Sequence, residues 1–176
     1  EELIPALLSP TEIISVLRDL LREGISIRNM RKIFETLLEY APRTKDTELL
    51  VEYVRRRLSR DITNKFRGED NRVYGLVLDS GFENEVRQSV PSQSSKILGI
   101  EPRLGKKLLS SVESLATEFG RTTAPPLIIT SPDLRRAITD FLKPRIPGLS
   151  VVSYSEIAQG TEIIPLGMAG LPGKSE

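Results

Sequence analysis

The chain contains no cysteine and no histidine. The first absence excludes disulfides, thiolate metal sites and cysteine nucleophiles. The second removes the side chain used most often as metal ligand and general base. Any catalysis would have to rest on carboxylates, lysine, serine or tyrosine. A surplus of charge is missing too. Lys and Arg number 25 against 24 Asp and Glu, a net charge of +1, and the balance holds on both sides of Asp70. Bulk electrostatics therefore do not draw the chain to nucleic acid or to anionic lipid. No apolar run approaches the roughly 20 residues that cross a bilayer, and no signal peptide is recognisable. The chain opens at Glu1 without a methionine, which suggests a piece of a longer protein.

What is present is ordinary core-forming material. The 176 residues are 39% hydrophobic, enough for one compact domain or two small ones. Ser9-Pro10-Thr11-Glu12 is a helix start: serine cap, proline in the first turn, glutamate three residues after the cap. Ile13, Val16, Leu17, Leu20 and Leu21 form the apolar face behind it, and Gly24 ends the helix. A second helix is expected from Ser26 to Pro42, with Ile27, Met30, Ile33, Phe34, Leu37 and Leu38 facing inward. Asp46 opens a third, running to Phe66 on Leu49, Leu50, Tyr53, Val54, Leu58 and Ile62. Residues 1–70 thus read as a helical subdomain.

After the polar turn at 67–71 the period changes. Strands are expected at 73–79, 126–130, 150–154 and 161–168. Helices are expected at 82–90, 102–119 and from Ser131-Pro132-Asp133 to Leu142, with a loop over 91–100. Strand, helix and strand in this order predict a parallel βαβ crossover. Residues 71–169 therefore read as a small α/β subdomain with a four-stranded sheet, the whole chain as α+β or α/β, and 170–176 as a flexible tail. Pro165 predicts that the last strand lies at a sheet edge.

Several motifs invite functional readings. Arg28, Asn29 and Lys32, near the start of the second helix, are side-chain types that read bases in helix-turn-helix proteins. The neutral charge and Glu35 and Glu39 on the same helix oppose this; an Arg31–Glu35 pair on a solvated face or a protein contact accounts for the same residues. Arg55-Arg56-Arg57 fans around a helix and reads as a solvated run. The stretch GMAGLPGKS (167–175) lacks the glycine spacing of a phosphate-binding loop. Asp79-Ser80-Gly81, between a strand and a helix, lies where α/β domains hold sites, so Asp79 could serve a small α/β enzyme. A helix cap is the simpler role. Ser153-Tyr154-Ser155-Glu156 assembles no nucleophile, base and orienting group.

Read in order, these segments resemble one family. GISIRNMRKIFETLLEYAPRTKDTELLVEYVRRRLSRDI (24–62) is similar to the most recognisable run of the FHIPEP family, the type III secretion export gates of flagella and virulence injectisomes. APPLIITSPDLRRAITDFL (124–142), PGLSVVSYSEI (147–157) and TEIIPLGMA (161–169) follow collinearly. The resemblance implies the third and fourth subdomains of a four-subdomain cytoplasmic region, which follows an N-terminal membrane region. It implies a homo-oligomeric ring, typically nonameric, that contacts other export-apparatus components and receives substrates and their chaperones at the cytoplasmic face of the bacterial inner membrane. It implies no catalysis, no cofactor, no metal and no nucleic acid. Contact with the membrane would run only through the N-terminal region. Arg28 and Arg31, on the motif itself, become ring-interface candidates; Glu35 joins them by helical spacing. The family's chaperone pocket lies mainly outside this segment.

Overall fold

A computed structural model of the chain describes residues 3–89 and 99–170. The loop expected over 91–100 falls outside these up to position 98, and the tail expected over 170–176 falls outside them from 171. The chain divides into two units. One comprises the residues up to Lys65 together with Glu156–Ala158, the other Phe66–Ser155 and the residues from Gln159 onward.

The first unit is helical. After a short π-helical turn at Leu3–Leu7, α1 spans Pro10–Arg22 and starts with a full capping box. The Ser9 hydroxyl accepts from the Glu12 N–H at 3.2 Å, and the Glu12 carboxylate accepts from the Ser9 N–H at 2.7 Å. Its end is a Schellman turn. Gly24 adopts φ +72°, its N–H bonds Leu21 O, and the Ile25 N–H bonds Leu20 O. The buried Ile25 and Leu20 are the hydrophobic pair that accompanies this motif.

Helix α2 spans Met30–Tyr40, four residues later than the expected start. Asn29 is the cap, accepting from the Lys32 N–H at 3.4 Å. The Ser26 hydroxyl accepts the Arg28 N–H instead, a local turn that competes with helix. Arg28 therefore precedes the helix. Helix α3, Thr47–Arg57, is capped by Asp46, whose carboxylate accepts from Glu48 and Leu49. The single long helix expected here breaks at Leu58 (φ −86°, ψ 14°), and α4 runs from Ser59 to Phe66. Ser59, with Asp61 in the first turn, gives the new helix its own favourable N-terminus.

Helix α3 packs against both α1 and α2. The core holds Ile13, Val16, Leu20, Ile33, Leu37, Leu50, Val51, Val54, Leu58 and Ile62. Three residues expected inside lie at the surface: Leu21 is 56% exposed, Leu38 38% and Leu49 37%. Each sits at the border of its helix's apolar arc, and so small a unit covers only the middle of that arc.

The second unit is a four-stranded, fully parallel sheet in the order β3-β2-β1-β4. The strands are β1 Val73–Leu78, β2 Leu127–Thr130, β3 Ser150–Ser153 and β4 Ile163–Ala169. Strands β1 and β2 are almost wholly buried, as parallel strands covered on both faces are. Strand β4 lies at an edge, where Pro165 withholds no ladder bond that the sheet needs. Register shifts between Gly75 and Leu76, so that Leu166 is the extra residue of a bulge. Among the described residues four α-helices accompany the sheet: α5 Ser80–Ser89, α6 Pro102–Ser114, α7 Ala116–Phe119 and α8 Arg135–Leu142. The helix expected over 102–119 is thus two, divided at Leu115.

The core of this unit gathers Leu76, Ile128 and Val151 from the sheet with Phe82, Val86, Leu104, Leu108, Val112, Ile138 and Leu142 from the helices. Helix α8 also starts later than expected. Ser131 does not cap it, because its hydroxyl donates to the Glu83 carboxylate at 2.5 Å, a charge-assisted bond stronger than a neutral cap. Among the described residues no helix is long and apolar enough to cross a membrane.

Candidate functional site

The three residues singled out from the sequence lie on one stretch of the helical unit. Arg31 and Glu35 stand one turn apart on α2, and the Arg31 Nε donates to the Glu35 carboxylate at 2.8 Å. Both face solvent, with side-chain exposures of 88% and 46%. The bond to Glu35, then its charge, raises the pKa of the Arg31 guanidinium. Leu38 and Glu39, one turn further on, are exposed as well. Arg28 is exposed on the turn before the helix. The structure thus brings Arg31 and Glu35 together and leaves Arg28 apart, on the turn before the helix.

Two neighbours are committed to the fold. Asp61 accepts from the Lys32 ammonium at 3.3 Å and from the Asn29 amide at 3.5 Å, which pins the start of α2 to α4. Asn29 also caps the helix. Two of the three side chains that a base-reading helix would present are therefore engaged, and the third, Arg28, is not on the helix.

The arginine run resolves into two kinds of residue. Arg56 and Arg57 are exposed, as expected. Arg55 is not: it is 1% exposed and forms the centre of a buried cluster. Its Nε and Nη2 donate to the two oxygens of Glu156 at 2.9 and 2.7 Å, a bidentate pair. Its Nη1 donates to Glu23 at 2.5 Å. Glu156 is itself 1% exposed. Thr63 completes the attachment, with its hydroxyl donating to the Glu156 carbonyl at 3.3 Å and accepting the Ala158 N–H at 2.8 Å. Sequence reasoning missed this cluster, although Val51, Arg55, Leu58 and Ile62 fall at helical spacing on one buried stripe.

In the α/β unit the strand ends, where α/β domains often hold sites, carry structure, and Asp79 has the cap role expected of it. The Asp79 carboxylate accepts the Phe82 N–H at 2.9 Å and so caps α5. The nearby buried Glu83 accepts from the Thr130 hydroxyl and the Ser131 N–H, both at 2.8 Å, and from the Ser131 hydroxyl. These three bonds tie α5 to the end of β2. Burial, and then the Glu83 charge, raise the Tyr154 pKa.

A helical unit together with a small parallel-sheet unit in one chain is found in a known class of secretion-apparatus domain. Nonameric SctV-C of enteropathogenic Escherichia coli (EPEC), solved by cryo-electron microscopy, matches with a TM-score of 0.81 and 28% identity, over 95% of this chain and 50% of that one. Low calcium response locus protein D of Yersinia pestis is 34% identical over 153 residues, 86% of this chain and 22% of that protein. Flagellar biosynthesis protein FlhA of Bacillus subtilis is 33% identical over 173 residues, 97% of this chain and 25% of that protein. The FHIPEP family model matches residues 1–162, and the chain belongs to the FHIPEP family. It spans about a quarter of the length of these curated relatives.

Proposed function

We propose that this chain is part of the cytoplasmic region of a type III secretion export gate and that it works as a non-catalytic assembly and docking element. In this reading residues 1–70 and 71–169 are the third and fourth subdomains of that region. The full protein forms a homo-oligomeric ring at the cytoplasmic face of the inner membrane, and the ring contacts other export components, substrates and chaperones. Arg28, Arg31 and Glu35 contribute to the contact between neighbouring ring subunits.

The observation that supports this most is the exposed face of α2. Lys32 and Asn29 are used inside the unit, whereas Arg31, Glu35, Leu38 and Glu39 point away from its core. A mixed face of arginine, leucine and carboxylates has the composition of a protein contact. The relative SctV-C is nonameric. The Arg31–Glu35 pair itself adds little to folding, because solvent screens exposed ion pairs and ordering two long side chains offsets their attraction. Its removal therefore tests assembly without unfolding the protein.

The test is secretion by cells whose full-length protein carries Arg28→Glu and Arg31→Glu together. Loss of secretion with normal protein level and membrane insertion is expected. Wild-type secretion from the double variant would remove these arginines from the assembly surface.

A further inference from the structure

A second feature of the helical unit borders the α2 face just described at Glu39, which pairs with Arg57. Near the C-terminal ends of α2 and α3 is a cavity of about 290 Å³, lined by Thr36, Tyr40, Tyr53, Arg56 and Arg57. The Tyr40 and Tyr53 rings stack with centroids 4.0 Å apart and planes at 16°. The Arg43 guanidinium lies 5.8 Å from the Tyr40 ring centre. Arg57 is paired with Glu39 at 3.5 Å, whereas Arg56 is exposed and has no ion-pair partner among the described residues.

We propose that this cavity is a docking site for an acidic segment of a partner protein, with one carboxylate seated on Arg56 and an adjoining apolar side chain against the tyrosines. This goes beyond the ring-assembly reading and does not depend on it.

Four features select this ligand. The volume lies at the small end of the range for ligand pockets, which suits side chains better than a nucleotide or cofactor. Tyrosine and arginine are the residues that dominate protein-contact energetics, and a guanidinium fork matches a carboxylate in two parallel bonds. The site sits at helix C-termini, whose partial negative charge, together with Glu39, disfavours a phosphate dianion more than a single seated carboxylate. A phosphate site would instead gather backbone N–H groups at a helix N-terminus. The two rings stack on each other, so no base can insert between them, and the near-neutral chain lacks the phosphate attraction that nucleic acids require.

The test uses the 176-residue chain and a rhodamine-labelled Glu-Leu-Glu-Leu-Glu peptide, followed by fluorescence anisotropy and by NMR of arginine side chains and tyrosine rings. Binding should move the Arg56, Tyr40 and Tyr53 signals. The Gln-Leu-Gln-Leu-Gln peptide should bind at least tenfold more weakly. Arg56→Glu should lower affinity at least tenfold, and Arg56→Lys by less. Arg145→Glu, an exposed arginine of the other unit, should leave affinity unchanged. Circular dichroism would verify that each variant is folded.

Four results would overturn the proposal: no binding, equal binding of the two peptides, wild-type affinity in Arg56→Glu, or equal displacement by inorganic phosphate or oligothymidine. A concentration-dependent dimer lost in Arg56→Glu would place a second copy of the chain in the cavity and would overturn it as well.

Discussion

Replacing Arg55 by methionine should be among the most damaging single changes available to the helical unit. Methionine keeps much of the side-chain length and removes the charge. It removes the guanidinium to which both Glu156, 1% exposed, and Glu23, with 12% of its side chain exposed, are bonded. Breaking a buried ion pair from one side costs about 3–5 kcal/mol. That is a large part of the roughly 5–15 kcal/mol that holds a domain together. Urea unfolding followed by far-UV circular dichroism would measure the loss. Adding Glu156→Leu should recover part of the loss, since it replaces one of the two carboxylates bonded to Arg55 by an apolar side chain. A loss under about 1 kcal/mol in Arg55→Met, or no recovery in the double variant, would refute the reasoning.

Two smaller tests concern the α/β unit. Arg87 grips Asp133 through two bonds, at 2.5 and 3.2 Å, and the first cause of Asp133's lowered pKa is this contact. Its stabilisation is present above the ordinary aspartate value of 3.8 and is lost as the pH falls through the lowered value. In Arg87→Gln the Asp133 midpoint should rise towards 3.8 by NMR titration; an unchanged midpoint would contradict the assignment. Gly105 sits on α6 where a Cβ would lie 2.5 and 2.6 Å from two carbons of the Phe141 ring on α8. Gly105→Ala should therefore cost about 1–3 kcal/mol by overpacking, although alanine is the better helix former. A stabilised variant would show that the ring moves aside freely.

The parts of this fold legible in the sequence are those fixed by local chemistry. Ser9 to Glu12 announced a capping box because both partners lie within one turn. Gly24 announced a helix end because a left-handed residue is needed there. Pro165 placed its strand at an edge because it has no N–H to offer the ladder. The parts that were not legible depend on partners distant in the chain. Ser131 had the sequence of a cap, but Glu83, 48 residues earlier, claims its hydroxyl. Arg55 looked like one of three equal arginines, and its partner Glu156 lies 101 residues away. Only its place on the Val51–Leu58–Ile62 stripe distinguished it from Arg56 and Arg57. Arg31 and Glu35 were legible as a pair because i,i+4 spacing on a helix is local. Arg28 was misplaced onto the helix because the Ser26 hydroxyl competes for its N–H. The arginine–tyrosine cavity was not legible either, since Tyr40 and Tyr53 meet only when α2 and α3 fold back on each other.

The most direct measurement is the mass in solution of a chain extended to the length of SctV-C, by light scattering over a range of concentrations, with and without Arg28→Glu and Arg31→Glu. The unaltered protein should assemble into large rings, and the double charge reversal should abolish them while the circular dichroism spectrum stays the same. Rings of unchanged mass and concentration dependence in the reversed variant would contradict the assignment of this α2 edge to assembly.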